Sequence, residues 1–127
     1  MTGGNTVALP GDSSPIYVQL AGHVTEQILS GGYAEGSLLP STNDFAGMFD
    51  INPATAARAL NLLVTVGVLE KRRGIGMAVS PGARRVLAEQ RRRTFHRRHI
   101  QPLVSEAIAL DIPLDEVHMM LDHGAAD

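Results

Sequence analysis

Thr55, Arg58 and Asn61 recur every three residues within N-P-A-T-A-A-R-A-L-N-L-L-V, residues 52–64. With Ala54 they make one side that is small or hydrogen-bonding, and Arg58 adds a planar, permanently charged donor fork. Groups of this kind read base edges or hold phosphate oxygens. Two further sets have similar chemistry. Ser41, Thr42 and Asn43 form a polar run, and Arg72, Arg73, Gly74 and Gly76 combine cations with glycines. Glycine lets a backbone approach a phosphate closely and donate its N–H directly. Each set alone also fits an ordinary solvated surface: a capped amphipathic helix, an ion-paired arginine, a basic hairpin tip.

These residues need elements to hold them. Asn52 is a favoured N-cap and Pro53 suits the first helical position. Ala56, Leu60, Leu63 and Val64 then repeat at helical spacing and should face inward. Upstream, Pro15 opens a pattern of Ile16, Leu20, Val24 and Ile28, with Tyr17 and Ala21 beside it, closed by Gly31-Gly32. Residues 37–39 read as a very short strand. Ser41 is the expected cap of a second helix, answered by Asp44 three residues on, with Phe45, Ala46 and Phe49 inward. Asp50-Ile51 turns into the 52–64 helix, which makes a helix-turn-helix. Residues 68–72 and 76–80 read as two strands around an R-G-I-G tip, a wing.

Pro81-Gly82 marks a boundary. A long helix is expected over about 83–110, kinked at Pro102 because proline removes one hydrogen bond and crowds the preceding turn. A short helix follows over 114–123. Val86, Leu87, Phe95, Ile100, Leu103, Val104, Ala107 and Ile108, with Val117, Met120 and Leu121, supply apolar stripes that two helices alone cannot cover. A two-fold dimer interface is expected there. Residues 1–14, rich in Gly, Thr, Ser and Asn, read as a flexible arm. The expected organisation is thus 1–14 arm, 15–80 winged helix-turn-helix, and 81–127 helical dimerisation segment. The fold class is mainly α with a small β-wing.

The net charge of −2 hides segregation. All 11 Lys and Arg fall between residues 58 and 98, flanked by segments that carry acids and no Lys or Arg. Phosphate binding needs such a local basic surface, not an average charge. Seven arginines lie between Arg84 and Arg98. They read either as a solvated face paired with the acidic 99–127 segment or as a second DNA surface. The chain has no cysteine, which excludes disulfides, thiolate zinc sites and a cysteine nucleophile. No apolar run suits a membrane span and no signal-peptide n-region is present, so a soluble cytoplasmic protein is expected. His96, His99, His118 and His123 with Asp115 and Asp122 are weak metal candidates; no metal, cofactor or enzymatic constellation is expected.

The runs P-I-Y-V-Q-L (15–20), L-P-S (39–41), N-P-A-T-A-A-R-A-L (52–60), G-V-L-E (67–70) and R-R-G-I-G-M-A-V (72–79) together resemble the winged helix-turn-helix of GntR-type bacterial transcription regulators. The short segment after residue 80 resembles the YtrA-like subfamily, whose two-helix tail forms a homodimer and whose members resemble repressors of operons often encoding ABC-type transporters. The resemblance implies binding to double-stranded DNA at an inverted-repeat operator, through Ser41, Thr42, Asn43, Asn52, Ala54, Thr55, Arg58, Arg72, Arg73, Gly74 and Gly76. It leaves room for an unknown small-molecule effector. The chain departs from the pattern at Asn43 and Ala57, where the family commonly has Arg, or Arg or Gln. Two other readings stand beside the regulator: a winged helix serving protein interaction, and a small-ligand sensor.

Overall fold

The computed structural model describes residues 14–126; the expected arm at 1–14 lies outside them but for Ser14. Three helices come first: α1 (Ile16–Ser30), α2 (Thr42–Phe49) and α3 (Pro53–Thr65). Pro15 starts α1 by accepting from the N–H groups of Val18 and Gln19. Leu20, Ala21, Val24 and Ile28 are buried, while Ile16, in the same four-residue repeat, is 44% exposed at the helix start. Gly31 ends the helix in the left-handed conformation, at φ 91°.

Phe45, Ala46 and Phe49 of α2 pack inward as their spacing predicts, and Asp50 takes a left-handed φ of 55° to turn the chain. On α3 the buried face is Ala56, Ala59, Leu60 and Leu63. Ala59 replaces Val64 in that stripe, and Val64 is only partly buried. The reason is close approach: a methyl-sized side chain at 59 lets α3 lie against its neighbours, and the β-branched residue falls to the rim.

Strands β1 (Leu69–Arg72) and β2 (Gly76–Val79) pair antiparallel, from Leu69 opposite Val79 to Arg72 opposite Gly76. The segment at 37–39 is not a full strand but a single bridge, Leu38 to Ala78. It is held by Leu39 N–H to Met77 O and Val79 N–H to Ser37 O, 2.9 and 3.0 Å. Pro40 ends this pairing, since proline has no N–H to donate.

Helix α4 (Ala83–Phe95) begins the helical remainder. Ala83 and Leu87 are buried in the winged-helix core. Leu87, one of the residues expected at a dimer interface, is thus buried within one chain, and the first compact unit extends to Ala88. Residues 89–127 form the second unit. In it α4 passes through a π-helical turn (His96–Ile100) into α5 (Gln101–Ala109), and α6 (Leu114–Ala126) follows. The expected kink takes the form of this π-turn. Proline at 102 cannot donate to residue 98 and its ring crowds that carbonyl, so the preceding turn widens, with the Gln101 N–H reaching back to His96 O. Asp111 at φ 56° and Ile112 N–H to Ala107 O reverse the chain between α5 and α6.

Val117 is the buried side chain of this second unit among its described residues. It lies in a small apolar hollow of about 140 Å³ walled by Leu103, Val104, Ala107, Ile108, Ile112 and Leu114. Expected at an interface, Val117 is already covered within one chain. Phe95, Val104, Ile108, Met120 and Leu121 are exposed by 44–71%, and Val86, in the first unit, by 50%. Ile100, Leu103 and Ala107 are partly covered or at the limit of exposure.

Candidate nucleic-acid interface

Two capped helix starts lie on the winged-helix unit. At α3, Asn52 Oδ1 accepts from the Ala54 N–H at 2.7 Å. The oxygen of Asn52 is thus committed to the helix, and only its amide N–H groups are left to donate outward. At α2, Ser41 Oγ accepts from the Asp44 N–H at 3.0 Å, and the Ser41 N–H donates to Asp44 Oδ2 at 3.1 Å. This is the capping box expected from Ser41 and Asp44; because the Asp44 carboxylate takes up the Ser41 N–H, that amide is not open to an anion. The open N–H groups of that helix start are those of Thr42 and Asn43, which have no intrahelical acceptor.

The wing lies across an open groove from this helix start. Thr42 and Asn43, with Pro40 and Ser41, line one wall, and Lys71, Arg72, Arg73, Gly74, Ile75 and Gly76 another, around about 580 Å³. The tip is a β-turn closed by the Ile75 N–H to Arg72 O at 3.0 Å. Its third place needs a positive φ, which Gly74 supplies at 75°, and Gly76 at 140° lies where side chains rarely go. Arg73, Gly74 and Gly76 are exposed. Arg72 is partly engaged, its Nε 3.5 Å from Glu70 Oε2 on the same face of β1. A half-exposed pair of this kind is weak and can yield to a phosphate.

The outer face of α3 is open. Ala54, Arg58 and Asn61 are exposed, and Thr55 is partly covered. Arg58 is not ion-paired to an acid among the described residues. Its guanidinium lies over the Tyr17 ring, 3.9 Å from the centroid. Lys71 and Ile75 line the wing side of the groove and Tyr17 lies against Arg58, although the sequence patterns named none of the three as a contact residue. Lys71 and Ile75 could have been found as neighbours of the R-R-G-I-G tip. Tyr17 stands in the P-I-Y-V-Q-L run of α1, but nothing local marks it as the partner of Arg58.

Glu35, in the loop before α2, accepts from the N–H groups of Gly82 and Arg84 at 2.9 and 3.1 Å. Those donated hydrogen bonds, Gly82 first, hold its carboxyl below the usual carboxylate range, helped by the Arg84 charge. Arg84 also donates through Nε to Leu29 O at 3.0 Å. One member of the arginine cluster is thus spent on the winged helix itself. Among the described residues no group of three His, Asp or Glu side chains converges on a metal site, and no helix is long and apolar enough to cross a membrane.

A capped helix with an open polar face, preceded by a tight helix-turn and followed by a glycine-tipped hairpin, is a winged helix-turn-helix, a DNA-binding architecture. The family model "Bacterial regulatory proteins, gntR family" matches residues 16–79, and the chain belongs to that family of DNA-binding transcription regulators. It is 30% identical over 118 residues to the HTH-type transcriptional repressor YtrA of Bacillus subtilis (strain 168), covering 93% of this chain and 90% of that one. A solved GntR-family regulator from Bacteroides thetaiotaomicron is 27% identical with a TM-score of 0.68, over 88% of this chain and 97% of that chain. The DNA-binding domain of AraR, solved in complex with operator ORX1, shares the fold at 22% identity and a TM-score of 0.56, over 60% of this chain and 98% of that one. These relatives are regulators, not enzymes.

Proposed function

We propose that the protein is a cytoplasmic, homodimeric repressor that binds an inverted-repeat operator, one winged helix to each half-site. The observation that carries the reading is the open basic groove between the wing and the start of α2, beside an α3 whose polar side is uncovered. In this reading α3 enters the major groove with Ala54, Thr55 and Arg58 at base edges, and the Asn52 amide donates at its start. The free N–H groups and side chains of Thr42 and Asn43 hold the adjoining phosphates. Arg72, Arg73, Gly74 and Gly76 place the wing on the flanking backbone or minor groove. Likeness to the repressor YtrA along nearly the full length of both chains supports repression as the direction of control. Control of a transporter operon belongs to the same proposal.

The dimer is proposed to form through the second unit. That unit buries one of its described apolar side chains, Val117, and leaves Ile108, Leu110, Leu114 and Met119 60–71% exposed. A second copy offering the same surface would cover both.

A mobility shift with duplex DNA from upstream of the protein's own gene, at two salt concentrations, tests the reading. The expected result is a complex of two chains per site that weakens as salt rises. Arg58→Ala should lose about 1–3 kcal/mol on that site. Equal affinity for this duplex and for a scrambled one would overturn the operator assignment.

A further inference from the structure

We infer that Tyr17, on α1, is a positioning residue for sequence readout: its ring braces the Arg58 guanidinium that α3 presents to the base. The inference rests on the proposed role of Arg58 and adds to it a residue from a different helix. The guanidinium carbon lies 3.9 Å from the Tyr17 centroid, within direct stacking distance. Tyr17 is itself held, being partly buried and packed against the winged-helix core. That packing restricts the ring, and the arginine lies over it.

The surroundings leave the ring as the feature that orients this cation. Arg58 faces an open hollow of about 590 Å³ whose walls include Ala54, Ala57 and Asn61. Alanines at 54 and 57 cannot hold an arginine head group, and among the described residues no acid pairs with it. An arginine free in such a space would lose rotamer freedom on binding DNA. Stacking fixes the guanidinium plane in advance. It uses the face of the cation, where there are no hydrogens, and leaves the in-plane N–H donors for a planar acceptor pair such as guanine O6 and N7. A phosphate gains little from a fixed plane, since the charge alone attracts it. The brace therefore favours base discrimination over general affinity. It also accounts for Ala57: a long side chain there would compete for the space beside the ring.

The test uses the full-length protein and a duplex selected from a random library by the wild type. Each position of the half-site is then changed in turn, and discrimination is the affinity ratio between the selected and changed duplexes. Tyr17→Phe keeps the ring, and Tyr17→Leu keeps apolar bulk without it. The expected result is that Arg58→Ala loses discrimination at one guanine in each half-site. Tyr17→Leu should lose about two- to fivefold at that same guanine, the range of an exposed cation–π contact. Tyr17→Phe should match wild type. Affinity for random-sequence duplex, which reports folding and phosphate binding, should be unchanged in both Tyr17 variants. In the Arg58→Ala background, Tyr17→Leu should have no further effect. Full discrimination by Tyr17→Leu, or losses that simply add in the double variant, would overturn the brace while leaving the readout by Arg58 intact. Wild-type discrimination by Arg58→Ala at every position would overturn that readout itself, and the brace with it.

Discussion

Replacing Leu87 with alanine separates a core residue from an interface residue. Leu87 lies on α4, in a segment whose apolar pattern suggested dimerisation, yet its side chain is 6% exposed within the winged-helix core of one chain. The change removes three carbons. At roughly 0.8 kcal/mol each the transfer loss is about 2.4 kcal/mol. An unfilled cavity raises such losses towards about 5 kcal/mol, but Leu87 lies at the edge of the core, where α4 can settle inward. A loss of about 2–3 kcal/mol from the winged helix is expected. The chain offers a selective probe, because it has two tyrosines, Tyr17 and Tyr33, and no tryptophan. Both tyrosines lie in the winged helix, so their fluorescence follows that unit alone. With a urea m-value of about 1–2 kcal/mol/M, the midpoint should fall by about 1–3 M. Sedimentation equilibrium in native buffer should meanwhile find the self-association constant nearly unchanged. Ile108→Ser is the converse: its parent side chain is 71% exposed, so the tyrosine midpoint should hold while self-association weakens. A Leu87→Ala protein with a wild-type tyrosine midpoint and weakened self-association would refute the reasoning.

Ser41→Ala should cost about 1 kcal/mol of stability in urea unfolding, since it removes the oxygen that caps the Asp44 N–H. Gly76→Ala should destabilise the wing by about 1–3 kcal/mol through backbone strain alone, because a Cβ there would meet open space while φ stays at 140°. Its DNA affinity should fall on operator and random duplex alike. Glu35→Gln tests the carboxylate at the start of α4 through pH. The folded-state pKa of Glu35 is lowered from the usual 4.5. Its contribution is therefore complete above that value and lost as pH falls through the folded pKa. Wild type should be the more stable at pH 7, and the two denaturation midpoints should converge on acidification below about pH 4.5; parallel curves would show that the carboxylate charge plays no part.

The winged helix was legible because its signals are local. Asn52-Pro53 caps a helix, Ser41 and Asp44 close a capping box, and R-R-G-I-G turns a hairpin, each through contacts within a few residues. Helical spacing likewise placed Phe45, Phe49, Leu60 and Leu63 in the core. Other features depend on residues far apart in the chain. Glu35 meets Gly82 and Arg84 across nearly fifty positions, and Arg58 meets Tyr17 across about forty. No periodicity encodes such meetings, because a side chain's partner depends on how helices pack. The same limit holds for Leu87 and Val117, both buried within one chain: an apolar stripe says that a residue must be covered, not by which element. The sequence alone thus settled where the three helices and the hairpin of the winged helix begin and which apolar stripes need cover. Tertiary packing decided which neighbour covers each apolar side chain and where each charged group is held, since both depend on distances that only the folded chain creates.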